Sequence, residues 1–159
     1  MTLLGALAGG FVGTLVLTTG LRLAQVLGLT RMDIPLLLGT MFTEDRTRAS
    51  VIGYAFHFVN GQLFAIGYAA IFYAVDEAGW LLGTALGLVH VAFAGGALVN
   101  ILLPAIHPRM GTRWTDAKES PLLEPPGFML SNYGRHTALV TVIGHLAYGA
   151  IVGGFAAGL

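Results

Sequence analysis

The sequence predicts an all-α polytopic membrane protein, a bundle of four transmembrane helices in a single membrane domain spanning residues 1–159. Three observations predict it: an apolar excess, four stretches of bilayer length, and basic residues confined to one side. Of the 159 residues, 55% are hydrophobic and only 10% are charged, whereas roughly a quarter of a soluble domain is charged. Sixteen Lys, Arg, Asp and Glu residues cannot clothe a chain of this size in a polar skin, so lipid is the expected solvent.

A hydrocarbon core about 30 Å thick takes roughly 20 apolar residues of helix. The first span is expected from about Leu3 to Leu29, broken only by Arg22 and Gln25 near its end. Met1 leads straight into it without a basic segment or a clean cleavage site, so it reads as a retained helix rather than a signal peptide. The second span runs from about Val51 to Val75, the third from about Trp80 to Pro104, and the fourth from about Thr137 to Leu159. Asp76-Glu77-Ala78-Gly79 is a tight turn, and loops cover residues 30–50 and 105–135. Thr43-Glu44-Asp45-Arg46 reads as a capping region for span two. In the last loop, Pro121-Leu122-Leu123 and Phe128-Met129-Leu130 are too short to span and are expected in the headgroup region or folded back on the helix ends.

The two long loops fall on one side of a four-span chain. They hold Arg31, Arg46, Arg48, Arg109, Arg113, Lys118 and Arg135, with Arg22 near enough to snorkel to the same side. The other side has Asp76 and Glu77 and no Lys or Arg. The positive-inside rule then places both loops in the cytoplasm and both termini outside. Tyr73 and Trp80 fall at the outer boundary, where interfacial aromatics anchor helices.

The composition also excludes several classes. Without cysteine there is no disulfide, thiolate metal site or Cys nucleophile. Zero net charge gives no reason to expect nucleic-acid binding. No Asp or Glu lies within a span, which rules out a carboxylate-bridged di-iron centre. Ser50, Ser120 and Ser131 fall in expected loops without a nucleophile-elbow pattern, so no catalytic residue is assigned.

The 23 glycines form stripes at four-residue spacing, and such faces let membrane helices approach closely. The expected packing positions are Gly5, Gly9 and Gly13 on span one, Gly53 and Gly61 on span two, Gly83 and Gly87 on span three, and Gly149 and Gly153 on span four. The Gly5-Gly9-Gly13 face would suit contact with another copy of the chain.

Histidines interrupt two of these stripes, in a shared pattern that joins His57 to Gly61 and His145 to Gly149. At about 1.5 Å per residue, His57 lies roughly 9 Å, and His145 roughly 12 Å, from the cytoplasmic ends of their helices. Arg22 and Asn100 fall at similar levels, with Asn60 slightly deeper. These five residues, Arg22, His57, Asn60, Asn100 and His145, are expected to form a buried polar layer, because polar groups facing lipid are costly. His90 is expected about 10 Å deeper and apart from them.

Such a layer can simply hydrogen-bond between helices and set their register. The sharpest functional expectation is haem, with His57 and His145 as axial ligands; no other cofactor is expected. A zinc site would need three or four convergent ligands, and no motif supplies them. His107 and His136 could approach at the cytoplasmic ends near Asp116, Glu119 and Glu124, without a metal-binding spacing. Transport is a third class, since intramembrane ionisable groups mark ion paths.

Three segments carry a family likeness: Ala8-Gly9-Gly10-Phe11-Val12-Gly13-Thr14, Arg31-Met32-Asp33-Ile34-Pro35 through Phe42, and Gly53-Tyr54-Ala55-Phe56-His57-Phe58. Together with Gly144-His145-Leu146-Ala147-Tyr148-Gly149-Ala150 they resemble a family of small, functionally uncharacterised bacterial four-helix membrane proteins. The resemblance implies an inner-membrane bundle and carries no catalytic residues. The expected role is therefore an accessory or scaffolding subunit, or a homo-oligomer, whose partners are the bilayer and either itself or a larger membrane complex.

Overall fold

The computed structural model describes residues 1–111 and 123–158, and these are helical with no strand among them. Four helices are long and apolar enough to cross a membrane. They are α1 (Leu3–Val26), α3 (Arg46–Val75), the third span (Trp80–Ile106) and α6 (Thr137–Ala157). The sequence-predicted spans two and three each begin or end within a few residues of these bounds. Span two starts five residues early because Asp45 caps it: its carboxylate accepts from the Arg48 N–H at 2.7 Å. Ser50 accordingly lies inside α3, its hydroxyl donating to the Arg46 carbonyl.

The outward faces are apolar. Phe11, Val59, Leu63, Leu81, Val89, Ile101 and Ile143 are all more than half exposed. A water-soluble bundle would hide such side chains, whereas a bilayer solvates them. With four spans of this kind, the chain is a multi-pass membrane protein.

The third span is not one uniform helix. α4 (Trp80–Val91) passes into a π-helical stretch, Ala92–Leu102, and ends in the short α5 (Leu103–Ile106). Pro104 cannot supply the N–H that an α-helix would send to the Asn100 carbonyl, and its ring crowds that oxygen. Gly95 and Gly96 weaken the helix just ahead of it, so wider i→i+5 winding takes up the misfit.

Helix neighbours in sequence are not the main neighbours in space. α1 packs along both α6 and α3, and α4 packs along α6, which gives the lateral order α3, α1, α6, α4. The turn at Asp76 (φ 55°) connects α3 to α4, yet those two helices meet chiefly through side chains: Phe64 on His90 and Phe93, and Tyr68 against His90. A seam without close backbone contact therefore runs between α3 and the third span.

Three close glycine approaches lie along the α4–α6 seam. A Cβ on Gly83 would collide with the Gly149 backbone and one on Gly149 with the Gly83 backbone; Gly87 lies in the same way against the His145 carbonyl, and Gly153 against Gly79. On the other side of α6, Gly5, Gly9 and Gly13 of α1 press against Phe155, Val152 and Tyr148. The face expected to be free for a second copy is thus occupied within the chain. Gly61 meets Thr14 of α1, while Gly53 meets the backbone of Pro35, which belongs not to a span but to α2 (Ile34–Gly39).

This short helix was not expected. Asp33 caps it by accepting from the Leu36 N–H at 3.0 Å, and Pro35 occupies its first turn. It lies against the start of α3 at the basic end of the bundle, the end carrying both long loops. A 3₁₀ segment, Phe128–Tyr133, folds back there as well, with Leu130 buried and Phe128 exposed. Arg31 ties the two loops together through its N–H to the Tyr133 carbonyl, its guanidinium to the Asn132 carbonyl, and an ion pair with Glu124. Tyr133 donates to the Glu124 carbonyl, and burial next to the Glu124 carboxylate pushes its hydroxyl pKa up to about 12. Pro121, Leu122, Arg113, Asp116, Lys118 and Glu119 lie outside the described residues.

Candidate functional site

A cavity of about 100 Å³ lies within the bundle. Its polar wall is made of His57 and Asn60 on α3, His90 on α4, and His145 and Tyr148 on α6, with Phe64 between them. Leu17 and Leu21 of α1 back it. At the basic end Met32, Ile34 and Leu130 form its floor, and Met32 and Leu130 are almost wholly buried.

That floor is held in an uncommon backbone. Met129 (φ 51°) and Leu130 (φ 59°) are consecutive non-glycine residues in the left-handed region, a conformation that costs about 1–3 kcal/mol per residue. It turns Leu130 under the cavity.

Three histidines from three spans meet here, one more than expected. The rings of His90 and His145 lie edge to face with centroids 4.7 Å apart. The sequence-based depth placed His90 too far away because it counted from helix ends that are not level. With Gly87 beside His145, the His90 backbone is three residues, about 4.5 Å, nearer the basic end. Helical side chains lean toward their own N-termini. In this antiparallel pair the two rings therefore tilt toward each other and close the offset.

The partners of these rings define their hydrogen-bonding capacity. His145 Nδ1 lies 2.8 Å from the Thr141 carbonyl. A carbonyl only accepts, so Nδ1 carries the proton, and Nε2 of the neutral ring keeps its lone pair. His90 Nδ1 pairs with the Tyr68 hydroxyl at 3.3 Å, and its ring stacks on Phe64 at 3.7 Å. Tyr148 donates to the Gly61 carbonyl at 2.5 Å, tying α6 to α3. His57 differs from all of these: its Nε2 is buried with no hydrogen-bond partner among the described residues. A buried unpaired nitrogen costs about 1–3 kcal/mol.

Two members of the expected layer are elsewhere. Arg22 is exposed near the end of α1 and donates to Gln25 at 2.6 Å; its long side chain lets the charge leave the apolar interior. Gln25 in turn donates to the Met32 carbonyl. Asn100 is half-buried on the π-helical stretch and does not line the cavity. Tyr68 and Tyr148 were missed: aromatic residues in an apolar span carry no periodic signal that separates a hydrogen-bonding hydroxyl from a packing ring.

Haem does not fit the cavity as it stands. The free Nε2 atoms of His57 and His145 meet the chemical requirement for axial ligands. Room is lacking, because a drug-sized ligand already needs about 300 Å³ or more, and a porphyrin would have to displace the His90 ring. No group of three His or acidic residues among those described is arranged to hold a metal ion. His107 and His136 do not pair. His107 bonds to the Leu37 carbonyl and Thr40, and His136 accepts from Arg135.

No family model matches the chain, and no curated protein or solved structure matches it either.

Proposed function

We propose that this chain is a small bacterial inner-membrane protein that does no chemistry alone and serves as an accessory subunit, holding a small molecule in the cavity between its helices. The observation that carries the reading is the buried Nε2 of His57, unpartnered among the described residues, in a mostly apolar cavity. A nitrogen kept there at a cost to stability is explained if a ligand completes its hydrogen bond. Among the described residues the cavity wall has no carboxylate, and His90, His145 and Tyr148 are each committed to Tyr68 or to the backbone, which favours binding over catalysis.

The inner-membrane placement, with both termini outside, rests on the restriction of all eight Lys and Arg residues to one end. Glycine faces as the packing device of the bundle are part of the same reading, supported by the close approaches at Gly83, Gly87 and Gly149. Self-association would have to use a surface other than Gly5, Gly9 and Gly13. Transport ranks lower because Met32 and Leu130 floor the cavity at the basic end.

The test is to purify the protein in mild detergent from native membranes and examine it by native mass spectrometry and by oxidised and reduced absorption spectra. A bound small molecule that is lost in His57→Phe supports the proposal. An unliganded protein whose cavity also refuses benzene and xenon would sink it. A Soret band that sharpens on reduction would instead establish the haem reading.

A further inference from the structure

Resting on that reading, we propose that the cavity takes the oxygen-bearing ring of a lipophilic quinol, entering from the bilayer through the seam between α3 and the third span. Three observations converge on this class. The first is size. A cavity of about 100 Å³ is of the order of an apolar cavity, about 150 Å³, that accommodates benzene, so a single six-membered ring suits it and a fused or macrocyclic system does not.

The second is the hydrogen-bonding pattern. The walls are apolar or aromatic apart from a few nitrogens and hydroxyls, and two of those nitrogens are unspent. His145 Nε2 keeps a lone pair because Nδ1 donates to the Thr141 carbonyl, and His57 Nε2 has no partner among the described residues. A ring hydroxyl both donates and accepts, so it can give its proton to His145 or receive one from His57. A purely hydrocarbon ligand would leave His57 as unsatisfied as before. A carboxylate or phosphate headgroup would bring a charge into a cavity with no Lys or Arg among the described residues of its wall.

The third is access. α3 and the third span meet through the rings of Phe64, His90 and Phe93 rather than through backbone contact. Phe93 is half exposed on the lipid-facing side. Side chains change rotamer far faster than packed helices separate. A ring can therefore pass this seam while its hydrocarbon tail stays in the bilayer, which removes the need for a cavity large enough to hold the whole molecule.

The experiment uses the full chain in lipid nanodiscs, titrated with a decyl-tailed benzoquinol, tail-less benzoquinol and decylbenzene. Binding is read by calorimetry and by ¹⁵N spectra of labelled histidine. The tailed quinol is expected to bind about tenfold more tightly than decylbenzene and to shift His57 Nε2, since completing a buried hydrogen bond is worth about that factor. His57→Phe should lose about tenfold in quinol affinity while binding decylbenzene unchanged, which shows that the variant is folded. Decylbenzene binding as well as the quinol would overturn the quinol assignment and leave the cavity-binding reading standing. So would a quinol that binds without moving His57, or a spectrum in which water alone satisfies that nitrogen. If none of the three probes binds, both readings fall.

Discussion

His90 and His145 approach edge to face at 90°, their centroids 4.7 Å apart, although they belong to antiparallel helices and lie 55 positions apart in the chain. The contact depends on the glycine register of α4 and α6, because only with Gly87 against the His145 backbone do the two rings come within reach.

Gly149→Val tests that register. The added Cβ would meet the Gly83 carbonyl, a backbone atom that cannot rotate away. Strain of this kind costs roughly 1–3 kcal/mol and occasionally more, which should appear as a clear fall in thermal midpoint in detergent. Gly67→Ala is the control, since a Cβ there meets nothing within 4 Å; stability should hold or rise by up to about 1 kcal/mol. Equal effects from both substitutions would show that α4 and α6 are not in this register.

His57→Phe should leave stability unchanged or raise it by about 1 kcal/mol in ligand-free protein. It replaces an unsatisfied buried nitrogen with an apolar ring of similar shape. A loss of several kcal/mol would mean that His57 has a structural partner.

Tyr148→Phe removes one interhelical hydrogen bond, to the Gly61 carbonyl. Such bonds within membranes average about 0.6 kcal/mol and reach about 1.7, so a modest destabilisation in that range is expected from equilibrium unfolding in mixed micelles. A null effect together with an unchanged hydroxyl environment by NMR would contradict the bond.

His107 makes the basic end pH-sensitive. Its Nδ1 accepts from the Arg109 N–H at 3.1 Å, so the proton is on Nε2, which donates to the Leu37 carbonyl at 3.0 Å. Burial holds its pKa below the usual 6.5; the Leu37 bond opposes this and the Arg109 guanidinium adds to it. Because the fold favours the neutral ring, this contribution is complete above the unfolded value and is lost as pH falls through the depressed one. Amide exchange over Ile34–Gly39, corrected for its intrinsic rate, should therefore accelerate in acid. In His107→Ala that acceleration should vanish, with exchange already fast at neutral pH. Persistence of the acid effect in the variant would assign it to another group.

The bundle was legible because its signals are long: four apolar runs, an acid-rich turn at Asp76-Glu77, and a cap at Asp45 that needs only local chemistry. The site was only half legible. His57, Asn60 and His145 line one cavity, and His90, which a depth count sets apart, lines it too, because such a count knows nothing of how two helices are offset. Asn100, on the π-helical stretch, does not line the cavity. Nothing in the residues before Pro104 says that its misfit will be absorbed over eleven positions rather than by a kink. α2 is six residues long, shorter than any periodicity can reveal.

The pairing of the first span with the last has a consequence for biogenesis. α1 finds its long partner in α6, down to a backbone bond from Thr2 N–H to the Ala156 carbonyl. On the ribosome, α1 leaves the translocon before α6 exists, so its glycine-notched flank faces lipid or a chaperone until α6 has been inserted. Insertion and assembly are then separate stages. A chain stalled before Thr137 would hold three inserted spans with α1 lacking its partner, and so be a ready target for membrane quality-control proteases.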